Sequence, residues 1–73
     1  MTFEAKPNRP GAFRIVLEEH SEGVYVFVFE TPSSDHPERD YLQDNLDMAM
    51  ATCAADFGVE RSMWRSTPDQ GLR

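Results

Sequence analysis

Residues 12–30 read AFRIVLEEHSEGVYVFVFE. Two runs rich in Val, Ile and Phe, Ala12 to His20 and Val24 to Glu30, flank the turn residues Ser21, Glu22 and Gly23, and this pattern predicts a β-hairpin. Its register decides the rest of the reading, because a slip of one residue sends every side chain of one strand to the opposite face. A three-residue loop with Gly23 in the left-handed position sets His20 opposite Val24 and Arg14 opposite Glu30. A two-residue loop would put Phe13 opposite Glu30 and lose the charge pair, so the longer loop is expected. Phe13, Ile15 and Leu17 then share a face with Tyr25, Phe27 and Phe29, while Val16, Val24, Val26 and Val28 lie on the other.

Downstream, Thr31 to Ser34 is a polar connection. Asp35 and Glu38 have capping-box spacing and Pro37 fits a first helical turn, so a helix is expected from His36. Leu42, Leu46, Ala49, Met50, Cys53 and Phe57 fall on one stripe at the helical step, and Gly58 supplies the stop. Residues 59–65 alternate too loosely for a firm strand. They are expected to be irregular, with Met63 and Trp64 packed on the helix end; a short third strand, parallel to the second through a right-handed crossover, is the alternative. The fold class is therefore α+β: a hairpin followed by one long amphipathic helix, ββα.

Upstream, residues 1–11 carry Lys6, Pro7, Asn8, Arg9, Pro10 and Gly11; residues 66–73 carry Thr67, Pro68, Asp69, Gln70 and Gly71. Both read as loose tails around a single domain at 12–65. A chain of 73 residues buries only about 62% of its unfolded surface, and a folding unit this small usually gains support from a disulfide, a metal or another chain. One cysteine cannot form an internal bridge, and it points to a reducing compartment. The longest apolar stretch, Val24 to Phe29, is six residues, far short of the roughly 20 that span a bilayer. Residues 1–13 resemble neither a signal peptide nor an anchor. A soluble cytoplasmic protein is expected, and two-domain enzymes, membrane spans and disulfide scaffolds are excluded.

One helix covers one face of a hairpin, and the register above gives it the aromatic one. Val16, Val24, Val26 and Val28 are then left in water, a patch that marks a contact surface. A homodimer, formed by edge pairing or by stacking of the valine faces, would cover it. Trp64 among Arg61, Met63 and Arg65 has the composition of a contact hot spot, so Arg61, Trp64 and Arg65 join the candidate partner surface. On the expected helix, Asp40, Asp44 and Asp47 recur opposite the apolar stripe and form a candidate acidic contact face.

Chemistry-bearing residues are sparse. His20 stands beside Glu18, Glu19 and Glu22 on a turn, yet a metal site needs three or four fixed ligands and only one nitrogen is present. His36 and Asp40 read as first-turn residues complementing the helix dipole. Cys53 on the apolar stripe reads as a buried hydrophobe. Ser33 and Ser34 follow a strand but lack the glycines of a nucleophile elbow. No catalytic residue, cofactor or metal ligand is assigned. Seven basic against 13 acidic residues, a net charge of -6, make nucleic acid an unsuitable partner. The expected function is a small acidic, non-enzymatic protein-protein interaction module acting as a homodimer. Two alternatives stand beside it: an acidic inhibitor of the basic site of a nucleic-acid enzyme or toxin, and a metal-dependent enzyme with His20 or His36 meeting across a dimer interface.

Overall fold

A computed structural model describes residues 1–73. The chain is α+β: a five-stranded antiparallel sheet with one helix. In chain order the elements are β1 (Thr2–Ala5), β2 (Arg14–His20), β3 (Gly23–Phe29), β4 (Arg39–Gln43), α1 (Leu46–Phe57), a 3₁₀ turn (Arg61–Met63) and β5 (Arg65–Thr67). The sheet order is β4-β3-β2-β1-β5.

The hairpin forms, but in the register rejected from the sequence. His20 pairs with Gly23 and Arg14 with Phe29, so the loop is Ser21 and Glu22 alone. The charge pair used to choose the longer loop does not exist, because each ion finds another partner. Arg14 Nη1 reaches Glu4 of β1 at 3.1 Å, and Glu30 meets Arg39 of β4 at 3.1 Å. Gly23, at φ 146°, serves close approach: a Cβ there would press on the Gln43 carbonyl oxygen and lie 3.1 Å from Leu42 Cδ1.

That slip of one residue exchanges the faces. Ile15, Leu17, Val24, Val26 and Val28 now form one core with Ala49, Met50, Cys53, Phe57 and Val59. Val26 and Val28 are fully buried beneath α1 and Val24 nearly so. The expected exposed valine face is therefore absent, and Val16 lies on the other side of the sheet with Phe27 and Phe29.

The helix begins ten residues later than expected. Asn45, in extended conformation, caps it by accepting a hydrogen bond from Met48 N at 2.9 Å, and Gly58 at φ 68° ends it as anticipated. Glu38 caps nothing; its carboxylate accepts from Glu30 N at 2.8 Å and from the Ser34 hydroxyl, bracing the β3–β4 loop. Residues 39–43, assigned to the helix by the stripe through Leu42, form β4 instead. Part of each presumed tail enters the sheet. Residues 2–5 pair with β2, and residues 65–67 add a strand antiparallel to β1, which replaces both the irregular segment and the parallel crossover. Met63 and Trp64, expected on the helix end, pack against the core cluster to which Phe57 of the last helical turn belongs. No helix is long and apolar enough to cross a membrane.

Candidate interaction surface

Two features of the sheet are candidates for contact, one an edge and one a face. The edge is β4, which pairs with β3 on one side and leaves its other side open. Its residues are exposed or half-buried. An open strand edge presents unpaired backbone donors and acceptors, and natural proteins guard such edges with charge. Here Arg39 is already paired with Glu30, whereas Asp40 and the following Asp44 have no ion-pair partner. Leu42, 47% exposed, stands opposite Tyr25 on the face away from α1.

The face is the side of the sheet without the helix. Tyr25 anchors it, stacked on Phe27 at 6.2 Å between ring centroids and met edge-on by His20 at 5.3 Å. The Tyr25 hydroxyl donates to Glu22 Oε2 at 2.9 Å. The backbone N–H of Glu22 itself, and then this hydroxyl, hold the Glu22 pKa below the ordinary carboxylate value. Alternation explains the assembly: Tyr25 and Phe27 lie two apart on one strand, and Leu42 and Asp40 face them from β4.

Residues 69–73 cross this face as a strap. Thr2 Oγ1 donates to Asp69 Oδ1 at 2.7 Å, Gln70 Nε2 donates to Glu4 Oε1 at 3.1 Å, and Leu72 N donates to Glu18 Oε2 at 2.8 Å. Glu18 is only 4% exposed, and its second oxygen lies 3.1 Å from His20 Nε2. The Leu72 side chain packs on Val16, Phe27 and Phe29. Arg14 lies over the Phe29 ring at 3.9 Å, and the Arg73 guanidinium lies 4.7 Å from the Tyr25 ring centroid. Tyr25 above all, then the charges of Glu22 and Asp40, raise the Arg73 pKa further above its ordinary value. A cleft of about 130 Å³ runs under the strap beside Thr2, Glu18, His20 and Asp69.

The residues singled out in the sequence are scattered. Asp40 is on β4, Asp44 in the β4–α1 connection and Asp47 in the first turn of α1, so they share no helix face. Asp47 is ion-paired with Arg61, whose Nη1 also reaches Met50 Sδ at 3.3 Å. Arg65 is exposed on edge strand β5. Trp64 is half-buried against the core, with its indole N–H unpartnered. His20 and His36 stand at opposite ends of the sheet, the one at the β2–β3 turn and the other in the β3–β4 loop. Ser34 and Ser33 join Thr31 in a hydroxyl cluster. Cys53 is fully buried, and that burial, aided by Asp56, pushes its thiol pKa up to about 12. No group of three His, Cys, Asp or Glu side chains is arranged to hold a metal ion. Sequence reasoning did not single out Tyr25, Glu22 and Arg73, which the structure brings together on this face. The available signal was the alternating aromatic run on β3, which needs a cover on each face.

Comparison with known proteins brings no relative: no family model, no curated protein and no solved structure matches the chain.

Proposed function

We propose that this protein is a small acidic, non-enzymatic interaction module whose β4 edge accepts an extended basic segment of a partner protein as a sixth strand. The observation that carries the reading is the open backbone of β4 set between Leu42 and the unpaired Asp40 and Asp44. Strand addition gains affinity from main-chain hydrogen bonds and selectivity from alternate side chains. The net charge of -6 steers basic partners toward the molecule and repels acidic ones. An inhibitor that occupies the basic site of a nucleic-acid enzyme or toxin is one form of this module, and its binding would weaken steeply with salt.

A second copy of the chain is the poorer occupant of the edge. A two-fold axis at Tyr41 would set Glu38 opposite Asp44 of the other copy, a like-charge pairing that costs stability. The valine patch that argued for self-association is already covered by α1.

The test is an NMR titration with a peptide alternating arginine and valine, next to the same peptide with proline at its centre. Proline keeps the charge but removes a ladder donor. The alternating peptide is expected to shift the amides of residues 39–43 and slow their hydrogen exchange, with the proline version much weaker. Equal binding of the two peptides, or shifts confined to other elements, refutes strand addition.

A further inference from the structure

The geometry points to a guanidinium-binding seat on the helix-free face, formed by the ring of Tyr25 with Glu22 and Asp40, which Arg73 fills internally and which an arginine of the partner segment would take over. This assignment deepens the reading of β4 as an acceptor edge and rests on it for the identity of the ligand.

The seat has three parts. The flat Tyr25 ring carries the Arg73 guanidinium carbon at 4.7 Å from its centroid, within the distance at which a cation is attracted to an aromatic face. Tyr25 is fixed on three sides: Phe27 stacks against it, His20 meets it edge-on, and its hydroxyl is tied to Glu22 at 2.9 Å. Glu22 of the hairpin turn, tied to the Tyr25 hydroxyl, and Asp40 of β4, opposite Phe27, add negative charge around the seat without a direct ion pair to Arg73. A planar guanidinium is the cation that both stacks on a ring and donates to carboxylates beside it, which an ammonium does less well.

Position ties the seat to the edge. Tyr25 is opposite Leu42 in the β3–β4 register, and Asp40 is opposite Phe27. A strand added along β4 would project every second side chain over this same face, one strand beyond Leu42 and roughly 10 Å from β3, a gap that a long arginine side chain leaning across Leu42 can span to the Tyr25 ring. Arg73 arrives there across the same face from the opposite edge of the sheet, on the strap whose anchors at Thr2, Glu4 and Glu18 lie on β1 and β2. Arg73 itself is exposed at the strap's end. It can leave the ring while those anchors hold, so the internal guanidinium is a competitor that a partner displaces without unfolding the face.

The test uses acetyl-arginine amide as probe, which cannot add as a strand, and follows the Tyr25 ring resonances of the wild-type chain and of Arg73→Gln. An internal occupancy of about two-thirds would leave one-third of molecules competent, and on that basis the probe is expected to bind Arg73→Gln roughly threefold or more tightly than wild type. Acetyl-citrulline amide, the neutral isostere, is expected to leave the ring unmoved, and Asp40→Asn in the Arg73→Gln background is expected to weaken the probe. Arg73→Lys, which keeps a positive charge on the strap, is expected to fall between wild type and Arg73→Gln. Equal probe affinity for wild type and Arg73→Gln, no response from Arg73→Gln, or an equal response to citrulline overturns the seat. Because the probe is a single residue, failure of the seat leaves the peptide result on residues 39–43 standing, and failure of strand addition leaves the seat measurable.

Discussion

Gly23→Ala separates the observed register from its rejected neighbour. At φ 146° an L-alanine is strained, and its methyl group would lie 3.1 Å from Leu42 Cδ1 and press directly on the Gln43 carbonyl oxygen. The backbone strain costs about 1–3 kcal/mol. Pushing the end of β4 away forfeits a ladder hydrogen bond, about 1 kcal/mol more. The total, about 2–4 kcal/mol, is a large share of the roughly 4–11 kcal/mol expected for a domain of this length. In a thermal melt it corresponds to a fall of roughly 10–25 °C. The hydrogen-exchange readout is more specific: whichever of the adjacent Leu42 and Gln43 amides bonds to β3 is expected to lose protection before those of β2. A glycine needed only for a left-handed turn would cost about 1–2 kcal/mol and leave β4 untouched. A variant within about 0.5 kcal/mol of wild type, or one destabilised without loss of protection at β4, refutes the two-residue loop and the tight β3–β4 approach. Because β4 is the proposed docking edge, the same variant is expected to weaken the alternating peptide.

Asn45→Ala is expected to cost about 1 kcal/mol by removing the cap on Met48 N, whereas Asp35→Ala stays within about 0.5 kcal/mol; chemical denaturation of both distinguishes a helix starting at 46 from one starting at 36. Cys53, with its thiol pKa pushed up to about 12 by burial, is expected to resist a chromogenic disulfide reagent at pH 8 and to react once denaturant unfolds the chain, since only about one thiol in ten thousand is ionised at that pH. Glu38 has a pKa lowered first by the Ser34 hydroxyl and then by Glu30 N–H, so its contribution is present above the ordinary carboxylate value of 4.5 and is lost as pH falls through the lower folded value. Exchange protection in the β3–β4 loop is therefore expected to drop below pH 4.5 in wild type, and Glu38→Gln is expected to flatten that dependence.

The hairpin and the end of the helix were legible because their signals are local: two apolar runs around a turn, and Gly58 after the last apolar position. Register was not. It was chosen from Arg14 and Glu30, and the true partners, Glu4 and Arg39, come from strands outside the hairpin. The helix start was misplaced because Leu42 lies four residues before Leu46 and extends the helical stripe by coincidence, while the cap at Asn45 is a single hydrogen bond. Strands β1 and β5 are four and three residues long. Segments so short form only because an edge already exists to pair with, which propensity alone does not encode. The contact surface was hidden for the same reason: a wrong register put the valines outside and the aromatics under the helix.

The two covers of this sheet differ in kind, and the difference favours the strap side for the proposed contact surface. On one face α1 buries Ala49, Met50, Cys53 and Phe57 against five core residues of the hairpin, and removing it would expose a continuous apolar layer. On the other face the strap contributes one apolar side chain, Leu72, and otherwise holds by hydrogen bonds to Thr2, Glu4, Arg14 and Glu18 and by Arg73 on the Tyr25 ring. Stabilisation by apolar burial grows with the area removed from water, whereas each polar contact to a strap can be replaced by water at small net cost. Segments with few buried apolar contacts are the ones that open locally at low free energy. The strap is therefore the part of the fold that yields first, and it yields over Tyr25, beside the open edge of β4. The amide of Leu72 is its sensitive reporter: hydrogen exchange there is expected to be faster than at Val26 or Val28, and equal protection at the three would place the strap within the rigid core.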